Sequence, residues 1–539
     1  MARTSGRTWD AVVVGAGHNG LVAAAYLARA GLDVAVLERR EVVGGAAVTE
    51  ELLPGYRVST AAYSLSLLRP DVWRDLDLGA HGLSFSPKDP QLFVPLPDGR
   101  HFFVWRDTDR TCEELARIHG PDADAYRRWN GFWDEAVALL RPLVEAPDPP
   151  RLGEVEHLLI RKGREDVWRL AVAGSAAETV EAFFESDEVR GTFASQGIIG
   201  TAAGPRHPGT AWVMAYHALG GELNGAAGTW AYVLGGMGSV TRAIADAAEA
   251  HGTRIRTGAP VEEVLVDGGR AVGVRLGDGS TVEARVVLSG ADPVRTFLGL
   301  VPAGVLDEAF LGRVRAWRTP GSVVKVNLAL AELPGYRSLP GTAPGPQHAG
   351  TLEISPSVAY LDAAFSAAQA GRYPDEPFME VFVQSATDPT LAPPGHHVLS
   401  AFTQWAPAIP GDGGLSGGAH AGVGVPAASW PQVREEALAT VLRTLGSYAP
   451  NLPGAVLAAD VLGPPELEER LGLTGGNIFH GELLPEQCFG ERFGYRTPLH
   501  GLYLCGSGAR PGGCIMGAPG RNAARAVLAD LAASQAEGS

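Results

Sequence analysis

The chain has 539 residues, a formal net charge of −16 and a hydrophobic content of 45%. This length and composition predict a globular protein of two or three domains. A chain this acidic, with scattered basic residues, would repel a phosphate backbone, so we expect no nucleic-acid partner. No signal peptide and no apolar stretch near the ~20 residues of a membrane span are recognisable, which predicts a cytoplasmic protein.

The first predicted elements are a strand, a glycine-rich turn and a helix. Residues 11–14 (AVVV) are a β-branched run typical of a buried parallel strand. The run continues into GAGHNG, which has the spacing G-x-G-x-x-G. In this motif the glycines permit a tight turn, a close approach to a pyrophosphate and close packing of helix on strand. The residues of the turn expected to contact a cofactor are Gly15, Ala16, Gly17, His18, Asn19 and Gly20.

An alanine-rich helix follows the turn, and Gly31 is its predicted end. The free N–H groups and the dipole at the start of such a helix favour a negatively charged ligand. A second strand, LDVAVLE, then ends at Glu38, about 20 residues after the glycine turn. A carboxylate at this distance accepts hydrogen bonds from ribose hydroxyls, so the pattern predicts a dinucleotide-binding unit.

The residues after Glu38 bear on which dinucleotide is bound. Arg39 and the adjacent pair Gly44 and Gly45, followed by Ala46, provide a loop that can fold over the far side of a pyrophosphate. This pattern resembles the flavoprotein superfamily that includes amine oxidases and phytoene desaturases. No second strand–GxGxxG–helix unit is present, since GGMGS at 235–239 follows an aromatic stretch. We therefore expect FAD alone, reoxidised by oxygen, a quinone or a partner protein.

Two later segments support this interpretation. Residues 232–293 contain a helix with apolar positions at Val240, Ile244 and Ala247, followed by strands joined by DGG and GDG turns, which are hairpin signals. This segment ends in VVLSGADP, a buried strand that runs into a turn at Gly290. Residues 500–534 contain a strand, the sequence GSGARPGGCIMGAPG and a final helix.

Together the three segments resemble the phytoene desaturase-like flavoproteins, most closely the branch of pyridine nucleotide-disulfide oxidoreductase domain-containing protein 2. The sequences VVVGAGHNGLVAAAYLARAG, LTGGNIFHGEL and GLYLCGSGARPGG carry the resemblance. It implies an α/β fold, with a Rossmann-like FAD-binding domain of the amine oxidase/phytoene desaturase type and an interleaved α+β substrate domain. The implied FAD-binding domain is discontinuous, with residues 9–69, 232–301 and 475–539, and residues 70–231 and 302–474 form the substrate-binding domain.

The resemblance also implies positions in the FAD site. Val261 matches the place where backbone groups meet the adenine, and Gly506 and Ser507 match the ribityl–phosphate region, where many relatives carry an acid. Gly517 and Ala518 match a helix start that stabilises negative charge on the reduced flavin. Beyond the first turn, the expected cofactor contacts are Glu38, Arg39, Gly44, Gly45, Ala46, Val261, Gly290, Gly506, Ser507, Gly517 and Ala518.

The step shared by this superfamily is hydride transfer from a substrate carbon to flavin N5, and a base is needed where the substrate also loses a proton. The sequence GGNIFHGELLPEQ offers His480 and Glu482 as candidate catalytic residues, and a structural, hydrogen-bonded histidine is the alternative for His480. No metal site is expected. Further candidates, for which a structural role is the alternative, are Arg206, His207, Tyr216, His217, Trp230 and Tyr232.

The leading hypothesis is an FAD-dependent dehydrogenase or desaturase that acts on a largely apolar small molecule. The alternatives are an amine or amino-acid oxidase, a redox-neutral flavin-dependent isomerase, and a non-catalytic flavin-binding scaffold. The four cysteines form no C-x-x-C pair, which disfavours disulfide reductase chemistry.

A helix predicted over residues 158–170 carries apolar residues among arginines, so it could lie on a membrane surface. We favour the alternative that this helix covers the domain with its basic face in solvent. The strand-like runs SVVKVNLAL and PFMEVFVQSA are expected to build a sheet over the flavin.

Overall fold

The computed structural model describes residues 8–225, 228–407 and 429–537. Their main features are two seven-stranded sheets with helices packed around them. The strands of the first sheet, in spatial order, are β10 (Val261–Asp267), β11 (Arg270–Leu276), β12 (Thr281–Ser289), β1 (Trp9–Val14), β2 (Val34–Leu37) and β9 (Arg254–Arg256), and β18 (Leu502–Leu504) pairs with β12.

The first sheet is parallel at its centre and antiparallel at one edge. β1 lies between β2 and β12 in parallel register, and β18 runs parallel to β12 on its other side. β10, β11 and β12 form the two antiparallel hairpins predicted from the DGG and GDG turns. The valines of β1 are buried, as expected for a strand covered on both faces.

Helix α1 (His18–Arg29) packs closely against α10 (Gly238–Ala250) and α17 (Ala518–Glu537). Glycines allow the close approach. A Cβ atom on Gly20 would lie 2.3 Å from the carbonyl oxygen of Gly15, and one on Gly520 would lie 2.1 Å from that of Asn19. Helices α1 and α17 therefore lie directly against the turn that follows β1.

The second sheet is mixed, and it is built from residues 92–104 and 323–462. Its strands, in spatial order, are β17 (Val456–Leu462), β13 (Val323–Leu330), β16 (His397–Gln404), β15 (Phe378–Phe382), β14 (Thr351–Ile354), β6 (Leu92–Pro95) and β7 (His101–Val104). All residues of β13 and β15 are buried, as their continuous apolar runs predict. Two small hairpins join β3 (Thr49–Leu53) to β4 (Tyr56–Ser59) and β5 (Phe85–Pro87) to β8 (Ala231–Val233).

The remaining helices pack around these two sheets. They are α2 (Pro70–Asp75), α3 (Thr108–Ile118), α4 (Gly120–Val144), α5 (Leu152–Arg161), α6 (Glu165–Trp168), α7 (Ala176–Glu181), α8 (Asp187–Ala194), α9 (Thr210–Ala218), α11 (Glu308–Arg315), α12 (Pro346–Ala349), α13 (Val358–Gln369), α14 (Trp430–Tyr448), α15 (Leu452–Ala455) and α16 (Pro464–Leu471).

The continuous helix predicted over residues 158–170 is wrong. Helix α5 ends at Arg161, and Gly163 takes φ 68°, a left-handed conformation that interrupts the helix before α6. Leu159 and Val167 are fully buried in the helical core. Among the described helices, none has the length and apolar character needed to span a membrane.

Candidate cofactor and active site

A cavity of about 450 Å³ is lined by residues of both sheets, and we call it the central cavity. Its floor is formed where β1, β12 and β18 end, at Gly15, Gly290 and Gly506. Its roof contains Tyr63 together with Lys325 of β13 and Phe402 of β16. The carboxyl ends of neighbouring parallel strands are the usual ligand site of such sheets.

The floor is assembled by backbone contacts that leave no room for side chains. A Cβ atom on Gly506 would lie 2.3 Å from the carbonyl oxygen of Gly290, and one on Gly290 would lie 2.9 Å from that of Val14. The side-chain amide of Asn19 donates to Ser507 Oγ at 3.1 Å, so the first and last glycine turns are joined directly. Residues distant in sequence thus form one continuous surface.

The first turn itself is open toward the cavity. A Cβ atom on Gly17 would have no neighbour within 4 Å, whereas Gly15 takes φ 92° to make the turn. The loop at Gly44 and Gly45 lies against this turn, with the Gly44 N–H donating to the carbonyl oxygen of Ala16 at 2.9 Å. The exposed backbone at Gly17 and the adjacent start of α1 form a cradle suited to an anion.

Glu38 is buried at the end of β2 and lines the central cavity. Its Oε2 accepts from the N–H of Ala16 at 2.8 Å, and its Oε1 accepts from that of Arg40 at 2.9 Å. These bonds fix the carboxylate beside the glycine turn. Each carboxylate oxygen has a further lone pair for a ligand.

Five buried polar atoms of residues that line the cavity have no hydrogen-bond partner among the described residues: His18 Nε2, Asn19 Oδ1, Arg40 Nη1, Arg295 Nε and His480 Nδ1. Burial lowers the pKa of His18 to about 3, and the nearby His480 acts in the same direction. Burial also lowers the pKa of His480, partly opposed by Asp292. Both rings are therefore neutral near pH 7 and present nitrogens to a bound molecule.

The roof contains a buried lysine. Lys325 Nζ donates to the carbonyl oxygen of Ser59 at 3.0 Å and to Asn327 Oδ1 at 3.1 Å. It also lies 5.0 Å from the ring centroid of Tyr63. Burial lowers the pKa of Lys325 to about 7. This amine is therefore able to change its protonation state near neutral pH.

Most of the predicted cofactor residues come together at the central cavity. Those that line it are Gly15, Gly17, His18, Asn19, Gly20, Glu38, Arg39, Gly45, Ala46, Val261, Gly290, Gly506 and Ser507. Ala16 and Gly44 lie just behind this wall and bond to residues of the turn or to Glu38.

Gly517 and Ala518 do not line the central cavity. A Cβ atom on Gly517 would meet the side chains of Val72 and Val22 at 3.2 to 3.4 Å, so this glycine faces packed helices. Cys514 and Ile515, just before α17, line the cavity instead. The helix does begin at Ala518, close to the predicted position.

The two candidate catalytic residues are placed differently. His480 lines the cavity, but Glu482 does not. The Glu482 carboxylate accepts from the N–H of Leu483 at 2.9 Å and from that of Ala202 at 3.3 Å, so it holds two loops together.

Of the further candidate residues, some line the wall of the central cavity and others lie away from it. His217 and Trp230 line the cavity, and burial lowers the pKa of His217 to about 4. The hydroxyls of Tyr216 and Tyr232 instead donate to the backbone oxygens of Gly513 and Gly350. Away from the cavity, Arg206 forms ion pairs with Asp362 and Glu181, and His207 is exposed.

The cavity residues that were not singled out from the sequence include Tyr63, Arg295 and Lys325. For Lys325 a signal was present, because a lysine inside the apolar run SVVKVNLAL is unusual in a buried strand. Tyr63 and Arg295 lie in segments without a comparable anomaly.

The four cysteines are free, and burial raises the pKa of Cys514 at the cavity to about 12. This residue is therefore a thiol rather than a reactive thiolate. The geometry agrees with the expectation that disulfide exchange is not the chemistry of this site.

The family model described as flavin containing amine oxidoreductase matches residues 20–411. The chain belongs to this family. It is 40% identical to the mouse pyridine nucleotide-disulfide oxidoreductase domain-containing protein 2, over 97% of this chain and 94% of that protein. It is 26% identical to the phytoene desaturase of Neurospora crassa, over 95% of this chain and 83% of that enzyme.

A solved structure of a redesigned putrescine oxidase has the same fold, with a TM-score of 0.61 at 20% identity, covering 97% of this chain and 99% of that one. The predicted fold class and the resemblance to phytoene desaturase-like flavoproteins are thus confirmed. The protein is an FAD-dependent oxidoreductase.

The residues of the central cavity fit FAD. The glycine cradle at Gly17 has space for a pyrophosphate, and the unpartnered atoms of His18, Asn19 and His480 require a polar ligand. Glu38 lies beside the cradle, at the distance along the chain that a ribose-binding acid requires.

Proposed function

We propose that this oxidoreductase is a dehydrogenase or desaturase, which forms a C=C or C=N bond in a largely apolar small molecule. The observation that carries this proposal is the wall of the central cavity away from the glycine floor. Its apolar and aromatic residues include Ala61, Leu67, Ile199, Trp230, Val323, Phe402, Ile478 and Phe479.

The charges of the wall favour a neutral substrate over a cationic amine. Among the described lining residues, Glu38 is the only carboxylate, and it lies beside the glycine turn. The basic residues of the wall are Arg39, Arg40, Arg295 and Lys325. An alkylammonium group would contact no carboxylate in the aromatic part of the described cavity wall, and burying an unpaired charge is costly. The phytoene desaturase among the relatives is consistent with an apolar substrate.

In this proposal residues from all three sequence segments of the FAD-binding domain bind the cofactor. The turn at Gly17 and the start of α1 hold the pyrophosphate, Glu38 holds a ribose, and the backbone at Val261 meets the adenine. Gly506 and Ser507 lie along the ribityl chain. FAD, when bound, supplies the acceptor for a hydride. The apolar wall orients the substrate carbon and excludes water.

The test is anaerobic reduction of the flavin in the purified, FAD-loaded protein. Two sets of candidate substrates are used as probes. The first set contains isoprenoid hydrocarbons and alcohols, and the second contains primary amines and amino acids. We expect the isoprenoids to bleach the flavin and the amines to leave it oxidised. Bleaching by amines alone, with peroxide released in air, would assign the protein as an amine or amino-acid oxidase.

Two further results would replace the proposal. A flavin that no probe reduces would indicate a non-catalytic scaffold. Conversion of an isoprenoid that requires pre-reduced flavin, without net oxidation of that flavin, would indicate an isomerase. The electron acceptor is proposed to be oxygen, a quinone or a partner protein, and the rates of reoxidation by air and by a soluble quinone distinguish the first two.

A further inference from the structure

We propose that Tyr63 and Glu380 form a proton relay in the roof of the central cavity, and that this relay takes the proton the substrate releases when its hydride leaves. The inference rests on the proposed dehydrogenation, in which one hydrogen leaves as hydride and a second leaves as a proton. It assigns a role to two residues outside the glycine motifs.

Tyr63 connects the cavity to the sheet behind it. Its ring lines the cavity, and its hydroxyl donates to Glu380 Oε2 at 2.9 Å. The ring is packed against Phe382 and Phe402, with centroid distances of 4.2 and 5.5 Å. This packing holds the hydroxyl in one orientation, as a transfer of protons along a fixed path requires.

Glu380 lies in β15, behind the wall rather than in it. The residue is buried, and its Oε1 accepts from Gln196 Nε2 at 3.4 Å. Both carboxylate oxygens therefore have partners inside the protein, and the Tyr63 hydroxyl is the partner whose ring lines the cavity. In the proposed relay, Glu380 exchanges protons with the cavity through this hydroxyl. A carboxylate in direct contact with the cavity would instead bind cations, which the apolar wall does not favour.

Other ionisable groups face Glu380 from the neighbouring elements. Glu353 is its register partner across β14 and β15, and Glu353 Oε2 has no partner among the described residues. Lys88 Nζ lies 4.3 Å from the ring centroid of Phe382 and donates to Thr351 Oγ1. Tyr232, whose hydroxyl donates to the carbonyl oxygen of Gly350, lies below Lys88.

These neighbours distinguish the two glutamates. Burial raises the pKa of Glu353 well above its usual value, and Glu380 raises it further, so Glu353 retains its proton. Burial also raises the pKa of Glu380, but Lys88 and the Tyr63 hydroxyl both oppose this increase. Glu380 is therefore the member of the pair that alternates between carboxylate and acid. Tyr63, with a pKa raised by burial and by Glu380, stays a neutral phenol.

The transfer balances as follows. The substrate C–H bond breaks with its electron pair, which leaves with the hydride to FAD. A proton leaves the adjacent carbon or nitrogen for the Tyr63 oxygen, while the Tyr63 O–H proton moves to Glu380 Oε2. The substrate gains a double bond, Tyr63 is unchanged, and Glu380 is protonated. The proton on Glu380 returns through Tyr63 to the cavity when the external acceptor reoxidises the site.

The first test needs no substrate. Infrared spectra of the FAD-bound protein, recorded as a function of pH, report the C=O band of a protonated buried carboxyl. We expect a band that titrates above the usual pH range of a glutamate side chain and is absent in Glu380→Gln. In Tyr63→Phe its midpoint moves to higher pH, because the carboxylate loses a donor. The control Glu353→Gln keeps the titrating band. A titrating band that persists in Glu380→Gln, or an unchanged midpoint in Tyr63→Phe, would overturn the relay.

The second test uses the isoprenoid probes that reduce the wild-type flavin. Loss of the relay should slow flavin reduction by about 100-fold or more in Tyr63→Phe, the scale of general base catalysis. Tyr336→Phe removes the hydroxyl of another buried tyrosine, outside the cavity wall, and should leave the rate unchanged.

The outcomes separate the two proposals. A wild-type rate in Tyr63→Phe contradicts the relay while leaving the dehydrogenase assignment in place. Failure of every isoprenoid to reduce the wild-type flavin contradicts the dehydrogenase assignment, and the infrared titration still decides whether Glu380 binds a proton through Tyr63. If Glu380→Gln does not fold, the pH midpoint of the carboxyl band in Tyr63→Phe decides whether the relay exists.

Discussion

The floor and the roof of the central cavity are built in opposite ways. At the floor, Gly290 and Gly506 bring backbone against backbone so closely that a single methyl group would collide. At the roof, long ionisable side chains such as Lys325 are buried among aromatic rings. The comparison indicates that the floor can form only where side chains are absent. The properties of the roof instead depend on how strongly burial shifts the pKa values of its ionisable side chains.

The largest effect is expected at the floor. In Gly20→Ala the new Cβ would lie 2.3 Å from the carbonyl oxygen of Gly15, a backbone atom that cannot move without opening the turn. We expect a loss of about 3 kcal/mol or more in the free energy of unfolding, and loss of most bound FAD. Urea unfolding and the flavin absorbance of the purified variant measure both effects. Wild-type flavin content would show that the floor tolerates side chains.

The second prediction concerns the buried amine of the roof. Burial lowers the pKa of Lys325 from 10.5 to about 7, so between these values the unfolded chain binds more protons than the folded one. Rising pH therefore stabilises the folded wild type through Lys325, and this contribution is absent in Lys325→Met. The free energy of unfolding of the wild type should therefore increase relative to that of the variant as the pH rises through this window.

The measurement is urea unfolding of both proteins at the two ends of that window. Lys88, whose pKa burial also lowers to about 7, is present in both proteins and cancels in the comparison. A difference that stays constant with pH would mean that Lys325 is not buried as a neutral amine, and the contrast between floor and roof would be lost.

A smaller effect is expected for Glu482, which lies outside both floor and roof. In Glu482→Gln one of the two backbone N–H bonds to the side chain is lost, which should cost about 1–2 kcal/mol of stability. Flavin reduction should keep its wild-type rate. By contrast, His480→Asn should slow reduction, since His480 lines the cavity and asparagine tolerates its φ of 59°. A slow Glu482→Gln enzyme would restore Glu482 as a catalytic candidate.

The smallest effect is a gain in stability. Gly131 lies exposed within α4, where a Cβ atom would have no neighbour within 4 Å. Gly131→Ala should stabilise the protein by about 0.5–1 kcal/mol, because alanine loses less backbone entropy in a helix. Thermal unfolding of this variant is the matched control for Gly20→Ala. A destabilised variant would show that glycine changes lower stability wherever they occur.

The floor was predictable because its requirements are local. A turn such as that at Gly15 needs a backbone conformation that few residues other than glycine adopt, and the acid Glu38 follows at a characteristic distance. The predicted cofactor contact at Gly517 lies outside the cavity wall, because the chain turns between Gly506 and α17. Cys514 takes φ 67° there and reaches the cavity instead, which no spacing rule reveals.

The roof was less accessible from the sequence, because its residues meet only through long-range strand pairing. Tyr63 and Glu380 are brought together by the packing of a loop on β15. The sequence predicts a strand over the flavin at PFMEVFVQSA, which contains Glu380, but nothing in it predicts the contact with Tyr63. The same limitation applies to the break at Gly163, where burial of Leu159 and Val167 on separate turns replaces the continuous helix that periodicity suggested.

The most direct test of the account is an experimental structure of the purified protein with its cofactor. We predict one FAD in the central cavity, with the pyrophosphate at Gly17, the adenine near Val261 and the flavin ring beneath Tyr63 and Lys325. A flavin bound elsewhere, or a central cavity that stays empty at saturating FAD, would contradict the claim that the glycine floor and the ionisable roof form one redox site.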